Sequence, residues 1–315
     1  MKEITSQNRF RGCLLGLAAG DALGTTLEFK RPGSFDPIDD MVGGGPFGLK
    51  AGQWTDDTSM ALCLASSLLE RDGFDPADQM QRYVRWWREG YLSSTGTCFD
   101  IGITIRGALS RFMKDGEPFA GATAPNTAGN GSLMRLAPVP MFYAANLGEA
   151  VERSAESSLT THGAVEAVDA CRYYGGLLVG AFYGMGRDTL LGPAFSPLPQ
   201  GWEVDPLTPK IEEIALGSYK DKDPPEIKGT GYVVASLEAA LWAFHRSTNF
   251  RDGALLAVNL GDDADTTGAI YGQLAGAFYG VESIPQSWRD KLTLNAEIES
   301  LADQLYQRSV TKRTG

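Results

Sequence analysis

Two acidic segments hold the residues of this sequence that are best suited to chemistry. One spans residues 261–268 with the sequence GDDADTTG, and the other spans residues 55–58 with the sequence TDDT. Carboxylate and hydroxyl oxygens suit Mg²⁺, Mn²⁺ or Ca²⁺, and neither segment has the Cys or His that a zinc site would need. Burying several acids without a positive partner is costly. We therefore predict that the fold brings the two segments together around divalent cations.

Helix capping is the alternative explanation for each acidic segment. A Thr or Asp at the N-cap stabilises a helix by about 1 kcal/mol without any ligand, and acids favour the first turn. For residues 55–58 taken alone, both explanations stay open. The recurrence of the same chemistry at residues 263–266, again before an apolar helix, favours the metal site.

Apolar residues recur at helical spacing along most of the chain, and almost no segment alternates with strand period. We therefore expect an all-α fold, with residues 1–315 in a single domain. Residues 30–54 are predicted to form a loop that covers the substrate, because they are rich in Gly and Pro. The predicted helices cover approximately residues 9–24, 57–69, 76–89, 97–113, 164–182, 210–215, 233–244, 264–278 and 294–308.

Composition limits the kind of partner and the compartment. The formal net charge of −11 argues against a nucleic-acid partner, which would favour a basic surface. No stretch is long and apolar enough to cross a membrane. The four cysteines fit neither a zinc spacing nor a disulfide framework. We expect a cytoplasmic protein with reduced thiols.

Other candidate residues lie outside the two acidic segments. Asp21 and Glu28 are acids among small and apolar neighbours, and Asp100 is either a helix cap or a site acid. The Gly- and Asn-rich loop 126–132 could bind phosphate through its backbone N–H groups. His162 stands at a predicted helix start, where a structural role and a functional role remain equally open.

Seven motifs in order resemble the ADP-ribosylglycohydrolase family, which includes ADP-ribosylarginine hydrolases and the dinitrogenase-reductase-activating glycohydrolase. The resemblance runs nearly the full length and implies a compact orthogonal bundle of helices with two Mg²⁺ or Mn²⁺ ions. The motifs are residues 20–24 with Glu28, 54–58, 99–102, 129–135, 161–162, 231–232 and 261–266.

The resemblance also implies roles for individual residues. The implied metal ligands are Thr55, Asp56, Asp57, Asp263, Asp265 and Thr266. Glu28 matches the glutamate of a mobile loop that is proposed to act in acid–base chemistry, and Asp100 matches an acid near the reacting water. The implied substrate-binding residues are Thr127, Gly129, Asn130, Gly131 and Ser132 for the diphosphate, and His162 and Tyr232 for the adenosine side. Many members have glycine where this chain has Asp262, so we place Asp262 outside the metal ligands.

The expected function is a metal-dependent hydrolase that removes ADP-ribose from modified protein side chains, arginine by preference. Glu28, Asp100 and Asp56 are the expected catalytic residues, the partner is an ADP-ribosylated protein, and ADP-ribose is the product. Two ions at such a site would orient substrate hydroxyls and a water. The alternatives are hydrolysis of a serine-linked or small-molecule ADP-ribosyl bond, and a non-catalytic ADP-ribose-binding or crystallin-like protein. Residues 184–229 match no motif of the family.

Overall fold

Helices form nearly all the regular secondary structure of residues 5–314, which are the residues that the computed structural model describes. Within them, pairing between extended segments is limited to isolated β-bridges, so the predicted all-α class is confirmed. The helices are α1 (Ser6–Gly24), α2 (Asp56–Arg71), α3 (Pro76–Glu89), α4 (Ile103–Asp115), α5 (Pro138–Phe142), α6 (Leu147–Leu159), α7 (Val165–Phe182), α8 (Arg187–Leu190), α9 (Pro209–Ala215), α10 (Val233–Arg246), α11 (Phe250–Val258), α12 (Ala264–Tyr279), α13 (Gln286–Arg289) and α14 (Asn295–Thr314).

Helices α1 and α12 form the central antiparallel pair, and glycines set their spacing. A Cβ atom on Gly20 would lie 2.0 Å from the carbonyl oxygen of Gly268, so only a residue without a side chain fits there. The other facing pairs along the contact are Gly12 with Gly276 and Gly16 with Gly272. Because the pair is antiparallel, the end of α1, with Asp21, meets the start of α12, with Asp265.

The remaining helices enclose this pair. Helix α14 joins the two ends of the chain, since Arg11 of α1 forms an ion pair with Asp303 at 2.7 Å. The Phe10 and Tyr306 rings pack edge to face nearby, with centroids 5.4 Å apart. Helix α2 packs beside α3, and a smaller apolar cluster around Trp86 lies between α3 and α4. In the described residues, no helix combines the length and apolar character needed to cross a bilayer.

The structure differs from the sequence prediction at several boundaries. The predicted helix at residues 97–113 begins only at Ile103, because the backbone at Asp100 has a φ of +58°, which a helix does not allow. Helix α11 lies where no helix was predicted, and the Asn249 side chain caps it by accepting a hydrogen bond from the N–H of Asp252. The predicted loop 30–54 contains no helix.

Candidate active site

The two acidic segments meet where α2 and α12 begin. The Thr55 hydroxyl lies 3.1 Å from a carboxylate oxygen of Asp265, and the Thr266 hydroxyl lies 3.4 Å from one of Asp57. Carboxylate oxygens of Asp21, Asp57 and Asp265 lie within 4.8 Å of one another. The fold therefore places the first turns of two distant helices in direct contact.

The capping alternative does not account for these side chains. Thr55 is the N-cap of α2 and Asp263 is the N-cap of α12, yet neither side chain makes a capping hydrogen bond. Both side chains take other partners. Thr55 contacts Asp57, and Asp263 accepts a 2.8 Å hydrogen bond from the Asn130 side chain. The geometry therefore favours a site over simple helix capping.

Asp21 lies at the base of the site, although it was not among the predicted ligands. One of its oxygens accepts from the N–H of Thr55 at 2.9 Å, and the other accepts from the N–H and hydroxyl of Thr58. Asp21 thus ties the start of α2 to the end of α1. In the sequence, Asp21 stands out only as an acid within a helix of small and apolar residues. This pattern does not distinguish a metal ligand from a residue that holds the ligands in place.

Burial makes the cluster unfavourable without a positive partner. Burial, reinforced by the charge of Asp265, raises the pKa of Asp21 to about 7 and that of Asp263 to about 7. Burial also raises the pKa values of Asp56 and Asp57 well above their ordinary range, with neighbouring carboxylates adding to the effect. One oxygen of Asp57 is buried and has no hydrogen-bond partner. Several buried carboxylates lie together here, and an oxygen of Asp57 remains without a partner. Such a group of oxygen atoms is the kind of ligand set that a divalent cation binds.

A second acidic group shares Asp265. Carboxylate oxygens of Glu28, Asp100 and Asp265 lie within 4.8 Å of one another, and a buried oxygen of Glu28 has no partner. Asp100 is not a helix cap, because Gly102 occupies that position of α4. Burial, with the charge of Asp265, raises the pKa of Glu28 far above its ordinary value and that of Asp100 to about 8.

A cavity of about 690 Å³ opens over these acids. Glu28, Asp56 and Asp100 line it, and so do Asp263, Asp265 and Thr266 at the start of α12. Residues 129–131, His162 and Gly231 also line it. The loop and the histidine that the sequence singled out therefore line the same cavity as the acidic cluster.

The part of the cavity lining formed by residues 129–131 and His162 depends on close approach of the backbone to the histidine ring. A Cβ atom on Gly131 would lie 2.8 Å from the His162 ring, so glycine allows the loop to pass over the imidazole. His162 is buried, and one of its ring nitrogens lies 2.8 Å from the Thr161 hydroxyl. Burial lowers the pKa of His162 to about 3, so the ring is neutral at ordinary pH.

Three predicted substrate-binding residues lie away from the main cavity. The Thr127 hydroxyl donates to the backbone of Ala124, and Ser132 is buried against Ser158. Tyr232 borders an adjoining cavity of about 520 Å³ that also includes Thr127. The Tyr232 hydroxyl donates to Glu166 at 2.5 Å and accepts from Lys210 at 2.7 Å. Neither Glu166 nor Lys210 was predicted from the sequence as a site residue.

Known proteins are similar to this chain over most of its length, and a solved structure shares its fold. ADP-ribosylarginine hydrolase Tri1 of Serratia proteamaculans is 45% identical over 304 residues, covering 96% of this chain and 80% of that protein. ADP-ribosyl-[dinitrogen reductase] glycohydrolase of Rhodospirillum rubrum is 31% identical over 299 residues, covering 93% and 92%. A solved structure described as an ADP-ribosylglycohydrolase-related protein complex is 45% identical and matches with a TM-score of 0.85, covering 96% of this chain and 99% of that one.

The family comparison agrees with these relatives. The ADP-ribosylglycohydrolase model matches residues 2–315. With this match, the named hydrolases among its relatives and the shared helical fold, the chain belongs to the ADP-ribosylglycohydrolase family and is an enzyme of that family.

Proposed function

We propose that this enzyme releases ADP-ribose from ADP-ribosyl-arginine in a modified protein, with the help of two Mg²⁺ or Mn²⁺ ions. The arginine linkage is supported by the similarity to ADP-ribosylarginine hydrolase Tri1 of two bacteria, at 45% and 46% identity. The metal dependence rests on one observation above all: two acidic helix starts meet and leave a buried carboxylate oxygen without a partner.

The proposed metal ligands all belong to the two helix starts. They are Thr55, Asp56, Asp57, Asp263, Asp265 and Thr266. When bound, such ions orient ribose hydroxyls and lower the pKa of a nearby water. Asp21 supports this set by holding Thr55 through two hydrogen bonds of 2.9 and 3.0 Å.

The proposed acid–base residues are Glu28 and Asp100. Burial raises the pKa of Glu28 and so favours its protonated form, from which the carboxyl can donate a proton to the departing nitrogen. Burial raises the pKa of Asp100 to about 8. A carboxyl group with a pKa near the working pH can both accept and donate a proton.

The proposed substrate contacts lie in the loop 127–132 and at His162 and Tyr232, in and beside the main cavity. Residues 127–132 would hold the diphosphate through their backbone, and the neutral His162 and Tyr232 would line the adenosine side. Asn130 links this loop to the acids, since its side chain donates to Asp263 at 2.8 Å. The arrangement supports a substrate that spans from the acids to the adjoining cavity.

The test is release of ADP-ribose from an ADP-ribosyl-arginine protein, compared with the serine-linked form and with small ADP-ribosyl compounds. We expect the arginine substrate to be cleaved fastest, and excess chelator to abolish turnover until Mg²⁺ or Mn²⁺ is restored. Full activity in chelator would exclude the metal proposal. Faster cleavage of the serine-linked substrate would exclude the arginine preference, and binding of ADP-ribose without any cleavage would indicate a non-catalytic protein.

The same proposal includes a cytoplasmic location and a single domain over residues 1–315. All four cysteines are free, which supports a reducing compartment. The contact of α1 with α12 and α14 supports one folding unit, because it joins opposite ends of the chain.

A further inference from the structure

Two residues with unusual backbone conformations face each other at the rim of the main cavity. Phe29 has a φ of +59° and Asp262 has a φ of +58°. The N–H of Phe29 donates to the carbonyl of Asp262 at 2.7 Å, and the N–H of Asp262 donates to the carbonyl of Lys30 at 2.7 Å. These two bonds fix the loop after Glu28 against the segment that leads into α12.

Both conformations are ones that glycine adopts without strain. A bulky residue such as Phe rarely has a positive φ, and such residues cluster where function requires them. Among the described residues, seven non-glycine residues have positive φ, and three of them line this cavity: Phe29, Asp100 and Asp262. The chain therefore keeps a phenyl ring and a carboxylate at positions where glycine would fit more easily.

The Phe29 side chain is available to a ligand. It is 64% exposed although it lines the cavity. Its ring lies 6.3 Å from that of Phe47, which in turn lies 5.2 Å from that of Phe99. Phe99 lines the same cavity, beside Asp100. This row of rings gives the acidic cavity an aromatic rim.

We propose that Phe29 and Asp262 bind the guanidinium group of the substrate arginine, and so select the linkage that the enzyme cleaves. The inference rests on the proposed arginine-linked function. A guanidinium stacks on an aromatic face and pairs with a carboxylate, and both groups are present at one rim. Serine has neither the charge nor the planar group that this pair would recognise.

The position of the pair agrees with this assignment. Glu28 precedes Phe29, and Asp263 follows Asp262, so the rim adjoins both the proposed proton donor and a proposed metal ligand. The bond to be broken joins the ribose to the guanidinium. A guanidinium at the rim therefore places that bond next to the acids.

The experiment measures two quantities for each variant: kcat/KM on an ADP-ribosyl-arginine peptide, and the dissociation constant of ADP-ribose, which lacks the arginine. For Phe29→Leu, which keeps apolar bulk without the aromatic face, we expect kcat/KM to fall about 2- to 30-fold. Phe29→Tyr should restore most of it. Asp262→Gly, which relieves backbone strain, should lower kcat/KM about tenfold without lowering Tm. The affinity for ADP-ribose should change less than about twofold in each case.

Matched controls are available elsewhere in the chain. Phe119 is 43% exposed and lies outside both cavities, so Phe119→Leu removes an exposed ring without affecting the rim. Asp72 has a φ of +53° at the end of α2, so Asp72→Gly reproduces the backbone change of the Asp262 variant. Neither control should change kcat/KM.

Three outcomes would overturn the inference: unchanged kcat/KM in both rim variants, equal losses of kcat/KM and ADP-ribose affinity, or similar losses in the controls. An unmodified enzyme that does not cleave the arginine substrate would instead refute the proposed function. The two failures are therefore distinguishable.

Discussion

At the residue scale, Asp265 is the point that the two acidic groups share. It lies within 4.8 Å of Asp21 and Asp57 on one side and of Glu28 and Asp100 on the other. So many carboxyl groups cannot all ionise together in a buried site without cations. Protons or divalent ions must therefore balance the charge. Removal of one acid should lower the activity but should maintain or raise the stability of the metal-free protein.

Asp56→Asn tests this trade-off. The substitution keeps the size of the side chain and removes one buried carboxylate, whose pKa is raised by burial and by the charge of Asp100. We expect turnover to fall at least about 100-fold, while Tm in chelator stays equal or rises because repulsion is relieved. The measurements are kcat and thermal unfolding in chelator. Full turnover, or a large loss of Tm, would contradict this account of Asp56.

At the element scale, the spacing of α1 and α12 determines the geometry of the site. Their backbones touch at glycines along the whole contact, as at Gly20 and Gly268. The contact fixes Asp21 relative to Asp265, and Asp21 in turn holds the start of α2. A change in the helix spacing should therefore disturb the site as well as stability.

Gly20→Ala tests the spacing. The added Cβ would lie 2.0 Å from the carbonyl of Gly268, so the helices must separate. We expect the free energy of unfolding to fall by about 3 kcal/mol or more, together with a loss of metal-dependent activity. Chemical denaturation measures the first effect, and initial rates measure the second.

Gly107→Ala in α4 is the matched control for the spacing test. The nearest atom to its added Cβ is the flexible end of Arg111 at 3.4 Å. We expect this variant to gain about 0.5–1 kcal/mol from helix propensity and to keep full activity. Equal effects of the two substitutions would refute the role of the glycine contact.

At the scale of the whole molecule, the protein has a net charge of −11 and buries several of its acids in one centre. Because these acids bind protons and cations differently in the folded and unfolded states, such binding is linked to folding. The folded pKa values of Asp21 and Asp263 are raised to about 7, and that of Asp100 to about 8. A carboxyl group whose pKa is higher in the folded protein than in the unfolded chain favours folding at pH values below its pKa in the unfolded chain. That contribution to stability is lost as the pH rises through its pKa in the folded protein.

The metal-free protein should therefore lose stability as pH rises from about 4 to about 8. Mg²⁺ or Mn²⁺ should restore it, most strongly at the upper end, because the ions bind the ionised carboxylates. Tm measured at about pH 5 and about pH 8, in chelator and in Mg²⁺, checks both expectations. A metal-free Tm that is higher at pH 8, or an equal gain from Mg²⁺ at both pH values, would contradict the linkage.

The contacts between the two ends of the chain predict one cooperative unfolding transition. Arg11 of α1 pairs with Asp303 and Glu299 of α14, and α1 also forms the centre of the core. Unfolding curves from circular dichroism and from tryptophan fluorescence should coincide. Two separate transitions would refute the proposed single domain.

Local sequence pattern is enough to predict most helices and to single out the acids that meet in the candidate site. Helix α3 spans the predicted residues 76–89, and the acids Asp56, Asp57, Asp263 and Asp265 are recognisable in the sequence from their chemistry. The later start of α4 and the cap of α11 were missed, because they depend on single backbone conformations and one side-chain bond.

The helical class, the acidic segments and the family resemblance can be predicted from the amino-acid sequence, because each depends on neighbouring residues or on short motifs. The contact of Thr55 with Asp265 across a separation of 210 residues, and the support that Asp21 gives to Thr55, arise from the packing of the helices and could not be predicted from short motifs. The same holds for Phe29 and Asp262, which face each other at the cavity rim. The physical reason is that glycines of α1 and α12 allow backbone contact, and sequence pattern does not reveal which two glycine-bearing surfaces will pair.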